Sequence, residues 1–337
     1  MKNTLLLSLS ALLFSCAQEP PTTNIQKNLE ADTTNHVLVR IDALTTQLKT
    51  DSLNAALYFE RAELYLKSKS LNPGASDLMR AVKLDSTNAL YWQQLGTLHY
   101  AMKNSRFAKN AWEECANLDS RNIDCRLSLA EIYLAVGELK KGQEKINEVL
   151  NFDAKNADAL YLSGNYALMK ADTVKAIKYI QASINQQQDF FKAYDLMGVL
   201  YSAKGDLLAL DYFNSALRLQ PNRFDIHYKV GMFYQKLGAY DDAILAYERA
   251  LVINTEHKIS MHNIAVLYVF MGDNNEALDV FTKALAIDDM YLEAYFGRAY
   301  TYELLGEIAN AESDYRTALM LDPAYSPAID GLARIGK

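Results

Sequence analysis

Proline, cysteine and long apolar runs are all scarce in this sequence. Only six prolines occur among 337 residues, which leaves long stretches of chain free to form helices. Three cysteines are too few for a disulfide-based scaffold, and the Cys-x-x-Cys pair typical of zinc sites is absent. The apolar run from Leu5 to Phe14 is too short to span a bilayer as a mature helix.

Positive charge and catalytic motifs are also in short supply. Lys and Arg number 34 against 41 Asp and Glu, a formal charge of -7, which argues against nucleic-acid binding because phosphate contacts need clustered basic residues. None of the five histidines belongs to a His-Glu-x-x-His motif, and the sequence has no phosphate-binding glycine loop or nucleophile elbow. We therefore expect no enzyme activity, no cofactor and no metal site.

Two ladders of small residues run through most of the chain. Both advance by 34 residues, except for one step of 33 that places a missing residue between Gly198 and Ala209. The first ladder is Ala62, Gly96, Ala130, Gly164, Gly198, Gly231, Ala265 and Ala299. The second is Gly74, Ala108, Gly142, Ala176, Ala209, Ala243, Ala277 and Ala311.

Each period contains two helical stripes. Tyr295, Ala299 and Tyr302 lie at i, i+4 and i+7 on a first helix, and Ala311 and Tyr315 begin the same kind of stripe on a second. Small residues let two helices approach closely, while the aromatic rings fill the space around the crossing. One pair cannot bury its apolar faces alone, so successive pairs are predicted to stack into a continuous core.

This pattern resembles the tetratricopeptide repeat, in which two helices meet at small residues beside an aromatic side chain. The resemblance implies an all-α fold, a right-handed α-solenoid of eight helix-turn-helix repeats over residues 55–325. Capping helices are predicted at 36–54 and 326–337. The repeats are expected at 55–88, 89–122, 123–156, 157–190, 191–223, 224–257, 258–291 and 292–325.

The N-terminal segment has the pattern of an export signal. Residues 1–15 read as a signal peptide, and Leu13-Phe14-Ser15-Cys16 resembles a bacterial lipobox, which implies lipidation of Cys16. An ordinary signal peptide with an incidental cysteine is the alternative. Residues 16–35 are predicted to be a flexible tether. By resemblance to bacterial lipoproteins, we expect anchoring in the outer membrane facing the periplasm, with exposure at the cell surface as the alternative.

Cys115 and Cys125 remain after lipidation. Cys115 takes a position where other repeats have alanine, so two small buried thiols are the preferred interpretation. A disulfide in an oxidising periplasm is the alternative, because sequence does not give the separation of the two Cα atoms.

A second stripe on each first helix is the candidate binding site. In the resembled family it lines the concave groove, which would place ten residues there: Tyr161, Asn165, Leu168, Val199, Tyr228, Met232, Val266, Val269, Phe296 and Tyr300. These residues either bind a peptide or partner helix, or pack successive first helices together. The motif that grips a chaperone's C-terminal carboxylate is absent, since Leu196 and Asp225 replace its Asn and Lys.

The resemblance implies a function in binding rather than catalysis. We expect a membrane-anchored scaffold whose groove binds segments of other envelope proteins. Self-association into a homo-oligomer within an envelope assembly is the alternative. Binding of a small ligand or glycan is disfavoured, because the uniform turns leave no long insertion to build such a pocket.

Overall fold

Helices alone form the regular structure of the described part of the chain, residues 24–336, whose side chains are described from residue 36. The structure is a computed structural model. The predicted signal peptide at 1–15 and the lipidation site Cys16 lie outside the described residues. In chain order the helices are α1 (Asn24–Thr50), α2 (Ala55–Lys67), α3 (Leu71–Leu84), α4 (Ala89–Ala101), α5 (Ser105–Leu118), α6 (Ile123–Ala135), α7 (Leu139–Phe152), α8 (Ala157–Met169), α9 (Thr173–Gln186), α10 (Phe191–Lys204), α11 (Leu208–Leu219), α12 (Phe224–Leu237), α13 (Tyr240–Ile253), α14 (Lys258–Met271), α15 (Asn274–Ile287), α16 (Leu292–Leu304), α17 (Ile308–Leu321) and α18 (Ser326–Ile335).

The predicted all-α fold of stacked helix pairs is confirmed. The first helices α2, α4, α6, α8, α10, α12, α14 and α16 each begin at the first residue of a predicted repeat. Within residues 24–336, no helix combines the length and the apolar character that crossing a membrane would require.

The chain divides into two compact units, Met1–Phe152 and Asp153–Lys337. In the described part of the first unit, α1 to α7 pack in chain order, each helix against the next. In the second unit, α8 to α18 are arranged in the same way. There the first helices of neighbouring repeats also touch, as α14 does with α16 and α16 with α18.

Aromatic rings on the second helices explain why the first ladder needs small residues. Tyr247 and Phe213 are fully buried, each against the first helix of its own repeat. A Cβ added to Gly231 would lie 2.5 Å from ring carbons of Tyr247, and one on Gly198 would lie 2.5 Å from those of Phe213. The two backbones are therefore close enough at these crossings to exclude even a methyl group.

Every turn between the two helices of a repeat uses a left-handed residue, seven positions after the small residue of the first ladder. Glycine, which adopts this conformation without steric cost, is found in five of the eight turns. The other three turns have Lys69, Lys103 and Ala171, with φ of 58°, 60° and 59°. The glycines are Gly137, Gly205, Gly238, Gly272 and Gly306.

The one 33-residue repeat loses its residue in this turn. In the following repeat, the amide of Ala243 donates to the carbonyl of Ala239, four residues back. The corresponding amide of Ala209 instead donates to the carbonyl of Asp206, three residues back, over 3.0 Å. A tighter 3₁₀-type turn at the start of α11 thus absorbs the deletion, and the helices downstream keep their phase.

The start of α1 differs from the prediction. Residues 16–35 were expected to be a tether and the cap to begin at residue 36, whereas α1 already begins at Asn24. Residues 22–50 contain no proline or glycine, so nothing in the chain stops the helix from extending beyond its apolar stripe. Ile41, Leu44 and Leu48 of that stripe are buried.

The two core cysteines form a disulfide, and the preferred interpretation as free thiols is wrong. Cys115, near the end of α5, is joined to Cys125, near the start of α6, with a Cα–Cα distance of 6.3 Å. Both residues are fully buried. The turn between the helices brings them into bonding range, which a sequence separation of 10 residues does not reveal.

Candidate functional site

All ten candidate groove residues lie on first helices of the second unit, at three positions counted from the first-ladder residue. Three positions before it stand Tyr161, Tyr228 and Phe296. One position after it stand Asn165, Val199, Met232, Val266 and Tyr300, and four positions after it stand Leu168 and Val269. The structure gives these three positions different surroundings.

The position before the small residue belongs to the packing between repeats. From α10 onward, the N-cap residue of each first helix and of α18 is an aromatic residue or Arg223. The N-cap residue of α2, α4, α6 and α8 is an asparagine. The aromatic N-cap rings contact the candidate residues in tilted or edge-on geometry, with centroid distances of 5.2 Å for Tyr161–Phe190, 5.1 Å for Tyr228–His257 and 5.6 Å for Phe296–Tyr325. The three candidates are consequently only partly exposed and help to hold neighbouring repeats together.

The position after the small residue is open in the last repeats. Met232, Val266 and Tyr300 expose 44%, 38% and 37% of their surface. One helical turn further, Phe270 and Leu304 are 70% and 48% exposed. Sequence analysis missed these two residues, although a step of four from Val266 and Tyr300 along the same helix face would have found them.

Four of the ten candidates meet in one open cavity of about 630 Å³ between α14 and α16. The residues that form its apolar lining are named here the C-terminal groove: Val266, Val269, Phe270, Phe296, Tyr300 and Leu304. The other six candidates, Tyr161, Asn165, Leu168, Val199, Tyr228 and Met232, do not line this cavity. An exposed apolar recess of this kind is typical of ligand or partner sites.

Gly297 forms part of the cavity wall. The equivalent position in the two preceding repeats is Lys229 and Asn263, whose side chains would fill the space. A Cβ on Gly297 would collide with the ring of Phe281 behind it. The absence of a side chain therefore both admits Phe281 to the core and leaves the recess open.

The polar groups behind the recess are uncharged at neutral pH. The ring of His262 lies between those of Phe281 and Tyr291, with centroid distances of 5.8 Å to both. Burial lowers the pKa of His262, while the Glu293 carboxylate acts to raise it. Burial, together with Glu293, raises the pKa of Tyr291 to about 12. His262 Nδ1 has no hydrogen-bond partner among the described residues.

Charged residues on or next to the first helices of the second unit form several ion pairs with one another. Lys229 bonds Asp195 at 2.7 Å and Arg223 bonds Asp225 at 2.7 Å. Lys258 pairs with Asp288, and Arg334 pairs with Glu303 at 2.9 Å. Within the described part of the chain, no cluster of His, Cys, Asp or Glu side chains could hold a metal ion.

Comparisons with known proteins agree with this helix-pair architecture. Tetratricopeptide repeat models match residues 222–290 and 292–325. The C-terminal part of a TPR repeat-containing protein from Cytophaga hutchinsonii is 18% identical, with a TM-score of 0.59 over 71% of this chain and 98% of that chain. The APC/C hetero-tetramer Cut9–Hcn1 gives 14% identity and a TM-score of 0.52, over 88% of this chain and 58% of that chain. No curated protein matches this sequence significantly.

Fold and repeats together define a class, the proteins built from stacked helix pairs. Within that class, residues 222–290 and 292–325 of this chain are tetratricopeptide repeats. At these identities the two solved structures show the shared fold alone. Tetratricopeptide repeats are typical of non-catalytic scaffolds for protein–protein interaction, and this is the class of function that the fold indicates.

Proposed function

We propose that this protein is a non-catalytic adaptor that binds segments of other proteins in its C-terminal groove. The observation that carries the proposal is the open apolar recess of about 630 Å³ between α14 and α16. A partner that covers exposed apolar side chains removes them from water, which contributes a favourable free energy of roughly 25 cal/mol per Å² of apolar surface buried. An inserted helix or extended segment would supply that burial.

The proposal places the adaptor in a bacterial envelope, anchored through Cys16 and facing the periplasm from the outer membrane. Leu13-Phe14-Ser15-Cys16 supports lipidation because of its likeness to a lipobox. The Cys115–Cys125 disulfide supports an oxidising compartment, since such bonds persist outside the cytosol. Partners would then be other envelope proteins.

The groove is tested by crosslinking in native envelopes. The triple variant Phe270→Ala, Tyr300→Ala, Leu304→Ala truncates three large exposed side chains of the groove, and we expect it to lose the proteins that wild type captures. A control variant truncates apolar residues elsewhere that are at least as exposed, by Val252→Ala, Met290→Ala and Met320→Ala. Circular dichroism checks that both variants keep their helices. Capture that is identical for wild type and groove variant, or lost equally in the control, would refute the proposal.

The anchor is tested separately. Cys16→Ala should abolish incorporation of a labelled fatty acid and release the protein from the membrane fraction. A Cys16→Ala protein that stays fully in that fraction would contradict lipid anchoring and leave the groove proposal intact.

A further inference from the structure

We infer that the segment bound in the C-terminal groove carries a large apolar side chain next to a lysine or arginine, and that this cation pairs with Glu293. The inference rests on the proposed function and specifies the chemistry of the partner. Its two parts depend on different features of the site, the apolar recess and a single unpaired carboxylate.

The recess determines the apolar side chain of the expected segment. A volume of about 630 Å³ corresponds to on the order of twenty water molecules. Phe270 and Leu304 are its most exposed apolar lining residues, and Val266 and Tyr300 line it as well. An inserted aromatic or leucine side chain would displace part of that water and bury apolar surface of these residues.

Glu293 sets the charged part. It lines the same cavity, is exposed, and forms no ion pair or hydrogen bond within residues 36–336. Asp225, Asp288 and Glu303, which lie on or next to first helices of the second unit, already have cationic partners. His262 and Tyr291 behind it are uncharged at neutral pH. An incoming Lys or Arg therefore meets one unpaired carboxylate in a cavity whose lining contains no Lys or Arg.

Aromatic rings next to this anion would favour the same ligand. Phe296, Tyr300 and Tyr325 line the cavity together with Glu293. The faces of such rings attract cations, and arginine in particular stacks on them. The guanidinium of Arg334, on the capping helix α18, lies 5.9 Å from the ring centroid of Tyr300, so this ring already accepts one cation.

The second unit as a whole carries a net negative charge, the same sign as the charge of Glu293. Residues 153–336 contain 24 Asp and Glu against 16 Lys and Arg, a formal charge of -8. Residues 36–152 contain 14 against 15, a formal charge of +1. The acidity of the protein is thus concentrated in the unit that carries the groove. Its field would attract basic segments and repel acidic ones.

A random peptide display library, selected on the full chain and then on its variants, tests the inference. Wild type should enrich peptides that have an aromatic residue or leucine beside Lys or Arg. In fluorescence anisotropy with the selected peptides, Glu293→Gln should weaken binding about two- to fivefold, the range for an exposed ion pair. Selection on Glu293→Lys should replace the basic preference with Asp or Glu. Glu248→Gln, an exposed carboxylate on α13, is the matched control and should leave affinity unchanged.

The outcomes separate this inference from the proposed function. Peptides that lose binding to the Phe270, Tyr300, Leu304 triple alanine variant but show no basic preference would overturn the inference and keep the groove. A basic preference that is unchanged in Glu293→Gln would also overturn it. Peptides whose binding is indifferent to the triple variant would instead count against the groove itself.

Discussion

Arg61 and Arg298 occupy the same position in the first and the eighth repeat, one residue before the small residue of the first ladder. Each forms two hydrogen bonds to a buried aspartate: Arg61 at 2.6 and 2.7 Å to Asp77, and Arg298 at 2.7 and 3.0 Å to Asp314. The six repeats between them have Leu95, Leu129, Ser163, Met197, Val230 and Ile264 at this position. Only the outermost repeats of the eight therefore carry an ion pair here.

The Arg298–Asp314 pair gives a prediction about stability. Arg298→Ile should cost about 3–5 kcal/mol, because it leaves the Asp314 carboxylate buried without a partner. The double variant Arg298→Ile, Asp314→Val reproduces Ile264 and Val280 of the seventh repeat and should recover most of the loss. Urea unfolding followed by circular dichroism measures both effects.

The double variant is the decisive member of this series. Since a buried ion pair often contributes no more than apolar residues of similar size, we expect its unfolding midpoint to lie close to that of wild type. A double variant as unstable as the single one would mean that the pair itself stabilises the last repeat, against this account.

At the scale of elements, the disulfide between α5 and α6 joins the second repeat to the third. It closes a short loop, and a cross-link of this kind typically stabilises a protein by about 2–3 kcal/mol. Because both cysteines are fully buried, a reductant should reach the bond only when these helices separate.

Reduction of the disulfide is therefore expected to lower the urea midpoint of wild type. The variant Cys115→Ala, Cys125→Ala should have the lower midpoint from the start and should not respond to reductant. Thiol labelling of Cys115 and Cys125 in the folded wild-type protein should be negligible without reductant. Rapid labelling under native conditions would contradict a buried disulfide.

The helices were readily predicted from sequence, because repetition supplies the same signal eight times. The positions equivalent to Ala299 and Ala311 in the other repeats correctly predict the start of every first helix. The start of α1 at Asn24 was not predicted, because the prediction of this helix depended on an apolar stripe and residues 24–35 lack one.

The candidate site was predicted only in part. Val266, Val269, Phe296 and Tyr300 do line the cavity, since helical spacing puts them on one face. Exposure could not be predicted, because it depends on what packs on each residue. Tyr228 is covered by His257, which is distant in sequence and stands at the N-cap of α14. The disulfide likewise depends on a Cα separation that only the folded turn defines.

At the scale of the whole molecule, acid sensitivity follows from partly buried histidines. Burial lowers the pKa of His99, His227, His257 and His262 from the ordinary value of 6.5. Each of them binds a proton more readily in the unfolded chain, so acid favours unfolding. Their contribution to stability is complete well above pH 6.5 and is lost as the pH falls through 6.5 and then through the lowered folded-state values.

The melting temperature should therefore be nearly constant from about pH 8 to 7 and decline from about pH 6.5 to 5. His262→Phe, which copies Phe296 at the same position of the next repeat, should make that decline shallower. Carboxylates with lowered pKa, such as Asp288 and Glu303, lose their contribution only at more acidic pH. Thermal melts across this range measure the profile, and a melting temperature that rises on acidification to pH 5 would be inconsistent with it.

The shortened turn at the start of α11 has a consequence for how this protein can be edited. A residue deleted within a helix would rotate everything after it by about 100° around the helix axis, and the two small-residue ladders would no longer face each other. Here the deletion falls between Gly205 and Ala209, where a three-residue hydrogen bond replaces a four-residue one. A change of chain length is thus tolerated in the turn between the two helices of a repeat. The turn at residues 205–209 is therefore a suitable place to insert an epitope or a fluorescent reporter without disturbing the repeats on either side.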